Sequence, residues 1–211
     1  MSEDNFKFQD VIIQDKSIFE LLENSKGLKN IIFNNNSPKK YAALIEGSDL
    51  NFHFTFLKPS IIASIFFLFP ETVNHPIRIN LDIDINQSDC KIEVNMVNFL
   101  AKNIESEMSA KIFMDKNIEN TAASLLQESI ILSEDVKTKS IPILDIHSKN
   151  IQASHWAKIY RLDGEKLFYF QSKWLPFNQA KKLILSSYFE RLLDSTWLEN
   201  VKEKYVEEYL S

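Results

Sequence analysis

"PIRINLDIDIN", Pro76 to Asn86, alternates without a break: Ile77, Ile79, Leu81, Ile83 and Ile85 take every second place, with Arg78, Asn80, Asp82 and Asp84 between them. Successive side chains of a strand point to opposite faces, so the stretch reads as a strand with one buried and one solvated face. "KIEVNMV", Lys91 to Val97, repeats the pattern through Ile92, Val94 and Met96. Short apolar runs return in "AKIFM", "SLLQESIIL", "IPILDI" and "NIQAS", separated by polar corners such as "DKNIEN" and "SEDVKTKS". No helix-length pattern lies between them, which argues against βαβ crossovers and leaves a sandwich or a stacked solenoid. The many short strands and tight polar corners favour the solenoid.

The periodicity changes on both sides of this zone. Upstream, "DKSIFELLENSKG", Asp15 to Gly27, sets Ile18, Leu21 and Leu22 at helical spacing. Ser17 as N-cap, Glu20 in the capping-box position and Gly27 as the stop predict a short amphipathic helix. Downstream, from about Asp163, "DGEKLFYFQSKW" and "PFNQAKKLILSSYFERLLD" switch to helical spacing, with Pro176 in a first turn. Ala180, Leu183, Ile184, Tyr188, Leu192 and Leu193 form one apolar stripe, and "STWLENVKEKYVEEYL" supplies a further helix. The chain therefore divides into an N-terminal helical segment over 1–28, a β core over 29–160 and a C-terminal helical region over 161–211.

Composition excludes several classes of function. A net charge of −5 with no basic face argues against a phosphate-backbone binder, so no nucleic acid is expected. Three glycines in 211 residues leave no Gly-rich phosphate loop, and Asn takes over turn duty. The most apolar run, "IIASIFFLF", Ile61 to Phe69, falls short of the roughly 20 residues that span a bilayer. The start, "MSEDNFKFQD", has no signal-peptide pattern, and the single cysteine suits a reducing compartment, so the expectation is a cytoplasmic protein without a membrane partner. Cys90 follows the acidic Asp89, which disfavours a thiolate, and reads as a turn cysteine without a role. His53, His75 and His147 are isolated in strand or turn texture, with His147 on a solvent face. Asp82, Asp84 and Glu93 could suggest carboxylate chemistry of a carbohydrate-active solenoid, but they fit the solvated side of half-buried strands better.

The most specific stretch joins the β zone to the helical one. "SIILSEDVKTKSIPILDI", Ser129 to Ile146, is followed by "KNIQASHWAKI" and then by "LDGEKLFYFQSKWLPFNQAKKLI". In order and spacing, from about Ala110 to Asp194, this resembles the C-terminal part of the SufB/SufD family of iron–sulfur cluster assembly proteins. "LFYFQSKWL", Leu167 to Leu175, is its most distinctive block. The resemblance implies a right-handed parallel β-helix with flanking helices and a non-enzymatic scaffold. Such a scaffold pairs through its β-helix with a SufB-like subunit, or with itself, and receives sulfur indirectly from a cysteine desulfurase. It binds a SufC-type ABC ATPase through its C-terminal helices, here around Pro176, Phe177, Ala180, Leu183, Ile184 and Tyr188. SufB-like members carry a cysteine before the "PxLEI" strand and a glutamate after the histidine. Here Ser133 to Ile141 holds no cysteine, and Trp156 follows His155. The histidine alone is kept, as in SufD-like members, although the family's two nearby glycines are replaced by Trp156 and Tyr160.

His155 is the candidate cluster or metal ligand that the resemblance implies, offering a neutral imidazole nitrogen at a subunit interface. One histidine cannot hold a cluster, so other ligands must come from a partner, and no cofactor is expected to stay on the chain alone. The plainer alternative is a histidine packed against Trp156 and satisfied by a backbone group. The aromatic residues Phe168, Tyr169, Phe170, Trp174 and Phe177 serve either the core of the helical region or a docking surface. A second overall reading keeps the fold without the chemistry: a structural β-helical protein that self-associates through an exposed strand edge.

Overall fold

The computed structural model describes residues 8–22, 26–46, 49–69, 76–100 and 104–161, and scattered positions between 172 and 190. Twelve strands follow one another: β1 (Phe8–Ile13), β2 (Ile18–Leu22), β3 (Lys26–Phe33), β4 (Lys39–Ile45), β5 (Asp49–Phe56), β6 (Ile62–Phe69), β7 (Ile77–Ile85), β8 (Lys91–Leu100), β9 (Glu105–Met114), β10 (Thr121–Ile131), β11 (Lys137–Ile146) and β12 (Ile151–Arg161). Odd strands form one six-stranded sheet in chain order and even strands form the other. Every pairing is parallel. Each coil thus adds one strand to each sheet, and the chain is a parallel β-solenoid, as the alternation and the resemblance both implied.

Register converts the alternation into a core. Ile77, Ile79, Leu81, Ile83 and Ile85 all point inward and are at most 2% exposed. From the facing sheet Tyr41, Phe67 and Met96 meet them, with Phe52 and Phe54 beside them in one buried cluster. The rings of Phe52 and Phe67 lie 4.7 Å apart, and Tyr41 meets Phe54 edge-on at 5.6 Å. The even sheet is buried on its outer face as well, since Leu44, Phe66, Leu68 and Val97 point away from the core cluster yet are excluded from solvent. This explains why "IIASIFFLF" is continuously apolar: β6 is covered on both sides. Among the described residues no helix is long and apolar enough to cross a membrane.

The corners show how a solenoid is built with so little glycine. Ser60, Asp89 and Asn120 hold φ of 60°, 60° and 51° at equivalent places in successive coils. Each donates its backbone N–H to the coil above: Ser60 to Ser88 O, Asp89 to Glu119 O and Asn120 to Asn150 O, at 2.9–3.0 Å. Side chains extend the ladder, Asn150 Nδ2 donating to Asn120 Oδ1 at 3.1 Å and Asn120 Nδ2 to Asp89 Oδ1 at 3.3 Å. Asn and Asp tolerate this backbone region because their short side chains can bond locally. Asn120→Ala should cost about 1–2 kcal/mol in urea unfolding, the left-handed strain and the lost ladder adding together, while Asn120→Gly should cost less because only the ladder goes.

The N-terminal segment corrects the helix expected over 15–27. Residues 18–22 form β2 and pair in register with β4, Ile18 beside Tyr41 and Leu22 beside Ile45. Ser17, the expected helix cap, instead accepts a hydrogen bond from the backbone N–H of Lys40 at 2.9 Å. Gly27, the expected stop, lies inside β3 with φ 134°, so the boundary at 28 cuts a strand. An isolated helix of this length is marginal, and pairing with an existing sheet edge outweighs its weak local preference. At the other end β12 closes the described solenoid at Arg161. Beyond it, Ser172, Gln179, Ala180, Leu183, Ile184, Ser186, Ser187 and Glu190 are helical. Trp174, Leu175 and Pro176 are described but not helical, Trp174 with φ 64°, which departs from the helix expected there. The rest of the expected helical cap, including Phe168, Tyr169, Phe170, Phe177 and Tyr188, lies outside the described residues.

Candidate functional site

His155 lies in β12, the last strand of the even sheet, directly beside Leu125 of β10. Following the register back gives one column, Ile18, Tyr41, Ile65, Val94, Leu125, His155. The four members from Tyr41 to Leu125 are 0% exposed. His155 therefore occupies the inward-facing position of the final coil, and it is exposed because nothing described stacks on top of it. Trp156 belongs to the neighbouring outward column with Leu126, Asn95 and Phe66. Adjacent strand residues face opposite ways, so the two rings are on opposite sides of the sheet. The alternative in which Trp156 buries His155 is ruled out by this geometry.

The surface around His155 is the open end of the solenoid. Ala157 and Ile159 share its face of β12, Ile159 being 49% exposed, while Leu144 of β11 and Ile151 and Ala153 of β12 pack partly into the core. Among the described residues β11 and β12 each have one neighbour in their sheet, and no described strand pairs with their outer edge. Pro142 in β11 fits this, since proline is tolerated on an edge strand whose N–H side needs no partner. The site thus offers two unpaired strand edges, an apolar inner surface and one imidazole.

The other singled-out residues stay apart from it. His53 Nε2 meets Asp84 Oδ2 at 2.8 Å, and His147 Nε2 meets Asp145 Oδ1 at 2.9 Å, both on the outer face of the odd sheet. His147 is solvent-facing, as its place in the sequence implied, and lies against the Phe113 ring at 5.4 Å. His75 lies outside the described residues. Lys111 sits in register with Asp82, and its ammonium, 2.7 Å from Asp145, holds the Asp145 carboxyl below the usual range. Glu93 is on the even sheet and accepts from Asn95 at 2.9 Å. The three carboxylates of the carbohydrate-enzyme reading are therefore divided between sheets or occupied by neighbours. Among the described residues no group of three His, Cys, Asp or Glu side chains could hold a metal.

Cys90 is 1% exposed, its Sγ 3.5 Å from Ser88 O, and burial pushes its thiol up from the ordinary value. Native Cys90 should react with a maleimide at pH 8 about 100-fold more slowly than the urea-unfolded chain, because both access and thiolate are withheld. Equal rates would show the corner to be open. Of the residues assigned to an ATPase contact, Pro176 and Leu183 are exposed, Ile184 is half-buried and Ala180 is fully buried; Phe177 and Tyr188 lie outside the described residues. Trp174, of the aromatic block, is 95% exposed.

One cluster had no counterpart in the sequence reading. At the opposite end of the solenoid Glu20 Oε2 accepts from both Lys29 Nζ, at 3.0 Å, and the Tyr41 hydroxyl. Glu20 carried a signal only as a helix-capping residue, and in a strand the same position points inward.

Comparison with known proteins agrees with the geometry. Residues 63–188, more than half of the chain, match the family described as "SUF system FeS cluster assembly, SufBD core domain". An iron–sulfur cluster assembly SufBD family protein of Synechocystis is 27% identical over 90 residues, 43% of this chain and 20% of that protein. The iron–sulfur cluster assembly protein SufD of Bacillus subtilis is 30% identical over 86 residues, 40% of this chain and 20% of that protein. The chloroplastic protein ABCI7 of Arabidopsis thaliana is 27% identical over 101 residues, 45% of this chain and 21% of that protein. The matched stretch thus spans about a fifth of each relative's length. With a parallel solenoid matched from β6 through the helical residues beyond β12, this chain belongs to the SufBD family of iron–sulfur cluster assembly proteins.

Proposed function

We propose that the chain is a SufD-like, non-enzymatic scaffold subunit of an iron–sulfur cluster assembly complex in the cytoplasm. In this reading the open end formed by β11 and β12 pairs with a SufB-like subunit, and the segment from Pro176 onward recruits a SufC-type ATPase. The observation that carries it is the place of His155: an exposed imidazole at the head of a buried column, between two strand edges that no described residue pairs. Edge pairing would set a partner's strands within reach of that ring. A partner must supply the remaining ligands, and the cluster is cargo that leaves the complex rather than a resident group. Lack of a thiolate beside His155 supports the SufD-like assignment, since Cys90 is buried at a distant corner.

Co-purification with a SufB-like chain and a SufC-type ATPase tests the partners, and loss of both contacts in a folded sample would sink the proposal. His155→Ala tests the chemistry: cluster formation in the reconstituted complex should fall about tenfold, with the complex itself intact. A second reading rests on the same unpaired edges: the chain pairs with its own copy as a structural β-helical protein. Unchanged cluster assembly with His155→Ala, together with a homodimer in sedimentation, would favour it.

A further inference from the structure

Inside the last coils the solenoid changes character. Toward the N-terminal coils its inward columns carry Phe33, Phe54 and Phe67, but near the end of β8 and β10 they carry Asn98, Gln127 and Ser129, each 0% exposed. Asn98 lies in register with Ser129, and Gln127 with Met96, so the two carboxamides sit diagonally on neighbouring strands and face the same interior. Asn98 Nδ2 donates to Ser106 Oγ at 2.8 Å. Gln127 Nε2 faces Met108 O at 3.4 Å and Met96 Sδ at 3.6 Å. Both carboxamide oxygens, Asn98 Oδ1 and Gln127 Oε1, are buried without a hydrogen-bond partner among the described residues. Turning the Gln127 amide over would set its oxygen against the Met108 carbonyl, so its orientation is fixed by its surroundings.

A buried acceptor left unpaired is destabilising enough that folded proteins almost always satisfy it, with ordered water or an ion where protein groups do not reach. The surroundings suit such a guest. Ser129 Oγ stands at 3.4 Å from Ser140 Oγ and 3.3 Å from Thr138 Oγ1, long contacts that can open to admit it. The register sets Ala157, a small residue, beside Gln127 in the final coil. A surface groove of about 740 Å³ lies next to this interior, with Ser106 and Thr138 in its lining, and these two bond to Asn98 and Ser129. The oxygens on this stretch of the interior are neutral carboxamides and hydroxyls, which suit O–H donors or a monovalent cation rather than a divalent ion that favours carboxylates.

We propose that the last coils of the solenoid enclose a small hydrated site, where ordered water or a monovalent cation offers positive charge to Asn98 Oδ1 and Gln127 Oε1. Crystals of the full chain grown in rubidium chloride separate the two guests. An anomalous peak between the carboxamides identifies a cation, and then the melting midpoint should rise in potassium chloride over choline chloride at equal ionic strength. Ordinary density without anomalous signal identifies water, with no dependence on the cation. In either case Gln127→Met and Asn98→Leu should lower the midpoint, because each removes a partner from an occupied site. Absence of density there, with a raised midpoint in Gln127→Met, would show a dry interior and overturn the proposal. The wild-type diffraction result stands alone if either variant fails to fold.

Discussion

Glu20→Ala should destabilise the chain by about 3 kcal/mol, whereas Glu20→Leu combined with Lys29→Met should return to within about 1 kcal/mol of the starting protein. The difference comes from where the charges sit. Lys29 and Glu20 keep only 11% and 18% of their side chains exposed, and they face each other inside the first coils. Deleting the carboxylate strands an ammonium in a low-dielectric interior and also takes the acceptor from the Tyr41 hydroxyl. Replacing both charges by apolar groups of similar size leaves nothing unpaired, and the neighbouring aromatic cluster can close over them. Burial first, and then the Glu20 charge, hold the Tyr41 phenol far above its ordinary value of 10.0. A raised folded-state value for an acid means that stability is intact below pH 10 and falls as the pH rises further, since the unfolded tyrosine ionises first. Urea midpoints of the three proteins at pH 7, and of Tyr41→Phe against wild type from pH 9 to 11, measure both effects. A Glu20→Ala midpoint equal to wild type would refute the assignment of this pair as structural.

The same residue shows where reading the sequence succeeds and where it stops. Along β7, and in β8 from Lys91 to Met96, apolar and polar residues alternate, and only a strand can bury such a pattern. The strands were therefore legible from periodicity, while the choice of a solenoid over a sandwich leaned on the short strands and polar corners. Around Ile18 to Leu22 the spacing fits a helix and a strand equally well, because four apolar residues in five satisfy both periods. What decides is the edge of β4 waiting to be paired, a tertiary fact. Glu20 then changes meaning with its element, from a cap to an inward-facing anion. The site divides similarly. The position of His155 in the chain was visible through the motif around it, but its orientation required the register with Leu125. The polar interior near Gln127 was hidden because "SLLQESIIL" reads as an apolar run with tolerable polar interruptions, and alternation says nothing about whether an inward glutamine finds a partner.

Ala157→Lys together with Ile159→Lys should abolish pairing at the open end, weakening association with a SufB-like subunit or a second copy by at least about 100-fold. Both positions lie on the inward column face of β12, in register with Gln127 and Ser129, and both are exposed in the isolated chain. In the free protein the ammonium groups reach solvent past the last coil, and long side chains of this kind keep their heads wet at little cost. Once another coil stacks on β12, the same charges would be sealed between apolar layers without counter-ions, which is how natural edge strands discourage pairing. The urea midpoint of the double variant should therefore stay near that of wild type while the complex dissociates in sedimentation or gel filtration. His155→Ala should do the reverse, leaving association within about threefold and reducing cluster formation, because an imidazole exposed on one side contributes little to packing. The pair of outcomes separates the surface from the ligand. Association that survives both lysines would place the interface elsewhere, such as along the helical residues after Pro176, and His155 would then have no neighbour with which to share a cluster.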